Sequence, residues 1–269
     1  MRLLLPAVVV LAVFAAALGA LFRWSVLEFI PGSLQTGGLT LANFRGVLAP
    51  QYLGAVRDTI VLSALTTVLT LVCAYPVAYA LARTPSRWVR SVILVLTLAP
   101  FFTGAIVRTY AWVLVLGNTV ITWPVPMLFT ERGVLVGLVH FSMPTMILIL
   151  AAALSHIDPA YERAAASLGA SPARVFWRVT LPLSMPGVVA VVIYAFVTTW
   201  NEFIFALCLA TDSRSKTLPV GLSEFSTEFN TDWGAVMAAS VIMTLPICIL
   251  FFALQKLFIG GLVSGATKG

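Results

Sequence analysis

The residue types that usually perform chemistry are scarce in this chain and badly placed for it. Cys73, Cys208 and Cys248 lie far apart within apolar runs. They form no disulfide framework and no zinc-ligand spacing, and they read as small buried hydrophobes. His140 and His156 stand apart, without a Cys or carboxylate at ligand spacing, and read as structural. There is no GxxxxGK[ST] phosphate loop, and the lysines are Lys216, Lys256 and Lys268 alone. What remains is a binding chemistry. Glu202, beside Asn201 and Trp200, lies in an apolar stretch, where an ionisable group is a functional-site hypothesis by default. The three together offer hydrogen bonds and an aromatic face to a solute. The competing reading is a polar pair that holds helices together, or a group wet at the outer face. Arg108 has the same standing, with snorkelling to the interface as its alternative. Tyr110, Trp112 and Trp123 read as interfacial belt residues.

The elements that must position these residues are membrane helices. Of 269 residues, 60% are hydrophobic and 10% charged, against about 25% charged in soluble domains. Mean hydropathy is +1.02. So little polar surface cannot cover a water-soluble globule. A helix crossing the hydrocarbon core needs about 20 apolar residues. Segments 3–22, 59–82, 91–116, 133–155, 187–209 and 234–258 qualify, which predicts an all-α, six-span protein built as a single domain over 1–269. Residues 109–130 are also uncharged, so 91–130 has room for two passes. Asn118, Thr119, Thr122, Pro124 and Pro126 argue instead for an outer loop at 117–132, partly re-entrant or not. The first segment also has the build of a signal peptide; a retained first helix keeps the count at six.

The net charge of +6 would suggest nucleic acid in a soluble protein. Here the basic residues sit between apolar segments, and they read as topology signals. With the N-terminus inside, the inner segments hold Arg2, Arg83, Arg87, Arg90, Arg163, Arg174, Arg178, Lys256 and Lys268 against Asp158 and Glu162 alone. The outer segments balance Arg23, Arg45, Arg57, Arg108, Arg132, Arg214 and Lys216 with Glu28, Asp58, Glu131, Asp212, Glu224, Glu228 and Asp232. The positive-inside rule then places both termini in the cytoplasm.

The inner loop at 157–183 is the one polar stretch with a clear local grammar. It reads DPAYERAAASLGASPARVFWRVTLP over 158–182. Asp158 is a good N-cap and Pro159 suits the first helical position. Glu162 lies where the helix dipole favours negative charge, and Gly169 supplies a left-handed C-terminal stop. Ser171-Pro172 repeats the start, and Pro182 is expected to end the second short helix. Small side chains at Ala164, Ala165 and Ala166 would let another surface approach closely. The alternative is an interfacial connector whose Val175, Phe176 and Trp177 dip into the headgroups.

This stretch resembles the "EAA" loop of the permease subunits of bacterial ABC importers, through Ala164, Ala165, Gly169, Leu181 and Pro182. Arg163 stands where that family has its Glu, with Glu162 one residue earlier and about 100° around the helix. The ion pair made by the family's Glu is left open, with Glu162 as a substitute from an adjacent face. Upstream, GLTLANFRGVL, YPVAYALART and VRTYAWVLVLG resemble spermidine/putrescine-type permeases. Downstream, TTWNEFIFAL, KTLPVGLSEF, TDWGAVMAAS and GGLVSGATKG resemble maltose-type carbohydrate permeases.

The resemblance implies a type I importer permease in a bacterial or archaeal cytoplasmic membrane, non-enzymatic itself. Its loop residues Tyr161, Glu162, Arg163, Ala164, Ala165, Ala166, Leu168, Gly169, Ala170, Ser171 and Pro182 would dock on a dimeric ATPase that holds ATP and Mg. A second permease subunit, identical or related, and an external solute-binding protein are also implied. Segments 23–57 and 210–233 are candidates to meet the binding protein, and the terminal tail to reach the ATPase. A carbohydrate is the first substrate reading, a polyamine the second, and a non-transporting membrane scaffold the reading from another class. No nucleic acid or metal and no cofactor of the chain's own is expected; lipid is the remaining partner.

Overall fold

The computed structural model describes residues 4–30, 36–209, 217–223, 225 and 231–266. The outer-loop residues Asp212, Arg214, Lys216, Glu224 and Glu228, with Arg2 and the last three residues of the tail, lie outside this set. In chain order the elements are α1 (Leu4–Ser25), a hairpin of β1 (Leu27–Phe29) and β2 (Thr36–Leu39), α2 (Ala42–Val47), α3 (Pro50–Arg83) and α4 (Arg87–Leu98). A 3₁₀ turn (Ala99–Phe102) leads into α5 (Ala105–Leu116). Then come α6 (Glu131–Ser155), α7 (Pro159–Ser167), α8 (Pro172–Val175), a π-turn (Phe176–Thr180), α9 (Leu181–Trp200), α10 (Ile204–Leu209), α11 (Leu218–Ser223) and α12 (Trp233–Ala266). Five helices are long and apolar enough to cross a membrane, and the bent pair α4–α5 makes a sixth if it counts as one crossing.

The residues form two compact units, Met1–Asp58 with Lys216–Cys248, and Thr59–Ser215 with Ile249–Gly269. In the first, Val47 packs on Ala238 and Ala239, flanked by Phe44, Leu222, Phe225 and Ile242. The Asn43 amide donates to the carbonyls of Ser25 and Leu27 at 2.9 and 2.8 Å, which ties α2 to the end of α1 and to the hairpin. Asp232 caps α12 by accepting from the Ala235 N–H.

The second unit is built on α3, α6 and α9. Its core joins Ala74, Tyr75, Ala78 and Leu81 to Met146, Leu150 and Leu154, and to Val188, Val191 and Ala195. Ala153 faces Gly187 while the Tyr194 hydroxyl reaches Thr145 Oγ1, so α6 and α9 run antiparallel. Small residues at such contacts let helix backbones approach closely, the main source of helix association where lipid is as apolar as leucine. A second cluster gathers Leu116, Met127, Val134, Leu138, Phe205 and Leu209.

Three helix expectations change. The segment 91–116 is not one rod: α4 and α5 meet at a 105° bend. Pro100 opens the 3₁₀ turn, Thr103 is extended, and Gly104 leads into α5. At about 1.5 Å per residue each half spans about 18 Å, too short to cross a core of about 30 Å alone. The segment 187–209 likewise stops at Trp200 and resumes at Ile204. Pro182, by contrast, ends nothing, because 172–200 runs as one 29-residue helical rod. The reason is the π-turn, in which the Leu181 N–H reaches back to Phe176 O. That wider register falls just where Pro182 lacks an N–H and its ring would crowd a regular turn. The cysteines change too: Cys73 and Cys208 are exposed and Cys248 is half-buried. An apolar neighbourhood in a membrane protein does not require a protein interior.

Two helical glycines separate packing from propensity. A Cβ at Gly187 meets that of Ala153 too closely, whereas one at Gly54 meets nothing within 4 Å. Overpacking costs about 1–3 kcal/mol, and the helix-propensity gain of Gly→Ala is about 1 kcal/mol. Gly187→Ala is therefore expected to lower the thermal midpoint in detergent, and Gly54→Ala to leave it unchanged or raise it. A raised midpoint for Gly187→Ala would remove the close α6–α9 contact.

Candidate functional site

The inner loop folds as two capped helices. The Asp158 carboxylate accepts from the Ala160 N–H at 2.8 Å, and Pro159 fills the first position of α7. Gly169 takes φ +81, the left-handed conformation that a side chain disfavours. Ser171 then caps α8, accepting from the Arg174 N–H.

Glu162 anchors this loop to α3. Its Oε1 accepts from Arg83 Nη2 at 3.0 Å and from the Thr180 hydroxyl at 3.1 Å. Its Oε2 accepts from the Tyr79 hydroxyl at 3.0 Å. Arg83 also donates from Nη1 to the carbonyl of Ile157, at the entry to the loop. The two charged side chains are 13% and 14% exposed, so the pair lies mostly out of water. One turn further up α3, the Tyr75 ring packs edge-on against Phe176, 5.3 Å between centroids. Ser184 gives its hydroxyl proton to Leu181 O, so Tyr75 is the donor in its 2.8 Å bond to Ser184. Tyr75, Tyr79 and Arg83 recur every four residues and thus share one helix face. At 34 residues α3 is about 50 Å long, which carries that face beyond the hydrocarbon.

With Glu162 held inward, the opposite surface of the loop is open. Tyr161 and Arg163 are exposed, Ala164 and Ala166 are exposed, and Ala165 is half-buried. Leu168 is 90% exposed, although a leucine left so in water gains nothing. On the clamp side, a recess of about 400 Å³ is lined by Tyr79, Glu162 and Thr180 together with Arg163, Ala166 and Ala170. Sequence reasoning missed Arg83, Tyr79 and Thr180 as partners of Glu162. The four-residue spacing of Tyr79 and Arg83 at the end of a span was the available signal.

The second group of expected site residues is dispersed. Trp200 is fully buried and stacked on Phe196, 6.0 Å between centroids at 10°. The exposed Asn201 amide donates to Val197 O at 2.8 Å. Glu202 accepts from the N–H groups of Phe205 and Ala206 at 2.9 and 3.1 Å, and so caps α10. Arg108 lies elsewhere, its guanidinium carbon 4.8 Å from the Phe141 ring centroid. Among the described residues Arg108 and Glu202 form no ion pair.

Removing one partner of a largely buried pair leaves the other uncompensated, at a cost of about 3 kcal/mol or somewhat less at this exposure. Arg83→Met and Glu162→Leu are each expected to speed hydrogen exchange through 158–182. The double variant should cost about 1–3 kcal/mol less than the two losses added together. Strict additivity would mean the side chains do not act as a pair.

Known proteins bear on this geometry. The trehalose transport system permease SugB of Mycobacterium tuberculosis is 29% identical, over 88% of this chain and 85% of that one. The diacetylchitobiose uptake permease DasC of Streptomyces coelicolor is 32% identical, over 80% and 75%. The spermidine/putrescine permease PotB of Haemophilus influenzae is 30% identical, over 81% and 79%. A chain in the crystal structure of a bacterial ABC transporter that imports alginate shares the fold, with a TM-score of 0.72 at 20% identity over 94% of this chain and 95% of that one. Residues 67–262, which include α3 from the middle onward, the clamped loop and most of α12, match the model of one family. The chain belongs to the inner membrane components of binding-protein-dependent transport systems.

Proposed function

We propose that this chain is one half of the membrane channel of an ATP-driven importer, and that loop 157–183 is where a separate ATPase takes hold. The observation that carries this is the division of labour in α7. One face is fixed to α3 through Glu162, and the other offers Tyr161, Leu168, Arg163 and small alanines with nothing on them. A rigid attachment on one side and an open apolar surface on the other is what a transmitted movement needs. When the ATPase dimer closes on ATP and Mg, the loop follows, and α3 and α9 follow the loop. The equilibrium between inward- and outward-facing bundles then shifts by the difference in ATPase affinity between them. The excess of basic residues on the inner segments supports both termini being cytoplasmic. A second permease subunit completes the channel, and an external binding protein delivers the solute.

The solute proposed is a carbohydrate. Permeases named for trehalose and for diacetylchitobiose are similar over most of the chain. A polyamine is the second reading, favoured by the similarity to the spermidine/putrescine permease. Arg108, half-buried and without an acidic partner among the described residues, weighs against a polycation.

Proteoliposomes holding this chain with its ATPase, second permease and binding protein test the reading. Leu168→Asp removes an exposed apolar contact and should not disturb folding. Losing a buried leucine contact of about 1.5–3 kcal/mol weakens ATPase association by about tenfold or more. Uptake should fall with it, while membrane insertion stays intact. Gly169→Val, strained at φ +81, should uncouple ATP turnover from uptake. Normal uptake in both variants would remove the loop from the mechanism. Sugar-stimulated turnover without polyamine stimulation is the expected substrate result, and the reverse would exchange the two readings.

A further inference from the structure

Arg108 sits in the first turn of α5, just past the bend, and lines a recess of about 390 Å³ with Pro100, Thr103, Trp112, Val115 and His140. The recess falls in the size range of small-ligand pockets, about 300–1,000 Å³. Nothing in the described residues neutralises the guanidinium. Its Nε is buried without a hydrogen-bond partner, and no carboxylate pairs with it. The Phe141 ring contributes a cation–π contact of about 0.5–2 kcal/mol. The half-buried guanidinium carries part of a charge's desolvation cost, and its buried Nε is left without a hydrogen bond to offset it.

The neighbouring imidazole is set as a donor as well. The indole N–H of Trp112 meets His140 Nδ1 at 3.2 Å. An indole nitrogen can only donate, so Nδ1 is the acceptor and the neutral ring carries its proton on Nε2. The recess thus holds a fixed positive charge, N–H donors and the Thr103 hydroxyl, with no acidic group of its own. The complementary ligand is rich in acceptors and negatively charged.

We infer that the recess at the α4–α5 bend is a binding site for an oxyanion, either the carboxylate of an acidic sugar in transit or the phosphate of a phospholipid. The sugar source rests on the transport reading above; the lipid source does not.

The complete complex in nanodiscs containing equal phosphatidylglycerol and phosphatidylcholine distinguishes the sources. Native mass spectrometry reads the retained lipid. ATP turnover is read with tri-galacturonate and with cellotriose, its neutral counterpart of equal length. A charge-assisted hydrogen bond is worth about 1.5–3 kcal/mol, so the wild-type preference for the anionic member of a pair should be about tenfold. Arg108→Gln should abolish it and Arg108→Lys largely keep it. A preference for the lipid alone assigns a phospholipid, and one for the sugar alone assigns the substrate. Equal treatment of both pairs by wild type, or a preference that survives Arg108→Gln, overturns the site. Should Arg108→Gln fail to assemble, His140→Phe carries the test: it removes a neutral donor and should lower the preference about threefold, and no change overturns the proposal. Absence of turnover with either sugar and with a polyamine, beside a lipid preference that depends on Arg108, would remove the transport reading and leave the site.

Discussion

The arrangement of the inner half of the second unit depends on one carboxylate. Glu162 takes three hydrogen bonds from two other pieces of chain, α3 through Arg83 and Tyr79 and the π-turn through Thr180, and so ties α7 to both. A short helix such as α7 is marginal by itself, since isolated helices under about 12–15 residues scarcely persist in water. Its caps hold its ends, and Glu162 fixes which way it faces. Arg83 completes the constraint by holding the Ile157 carbonyl, so the loop is gripped both at its entry and one turn inside. A charged pair in this setting is not an economical source of stability, because desolvation offsets much of the attraction. Its advantage is geometric: apolar contacts between α7 and α3 would tolerate sliding that a carboxylate with three fixed donors does not.

The same logic explains where the membrane helices break. A regular helix satisfies its own backbone, and in lipid any interruption must find other partners or line a cavity. At 201–203 the interruption is answered by Glu202, whose two oxygens accept from the Phe205 and Ala206 N–H groups in the first turn of α10. An intramembrane acid there is a cap before it is anything else. At 99–104 a proline and a glycine bend the chain by 105°, and the space opened is the recess beside Arg108. One break is closed by a side chain. The other leaves a cavity with a charge in it.

Much of this was legible in the residues, and what was not has identifiable causes. Asp158, Pro159, Gly169, Ser171 and Pro172 act locally, so their caps and the left-handed turn could be read directly. Pro182 misled because a proline's effect depends on the register around it, and a π-turn is invisible in composition. Pro100 and Gly104 were both in view, but a helical count of apolar residues runs straight through a bend. Two partners of Glu162, Arg83 and Tyr79, lie 79 and 83 positions away in sequence, and their four-residue spacing marks a shared helix face without telling what it meets. Arg163 drew attention as the residue out of place, while its neighbour Glu162 had been recruited inward.

That recruitment bears on the partner surface. An acid directed at a docked ATPase would be free to pair across the interface, but Glu162 is spent within the chain, and the cation beside it is what remains exposed. Exposed pairs are individually weak, about 0–1 kcal/mol, and screened by salt. In the proposed docking, affinity on this face would come from apolar burial of the exposed Leu168 and Tyr161, with Arg163 contributing register. The arrangement separates two tasks that a single outward carboxylate would have to share. Attachment to the bundle is electrostatic, internal and insensitive to the partner. Under the docking proposed above, attachment to the ATPase would be apolar, through Leu168 and Tyr161, and would leave the clamp behind it untouched.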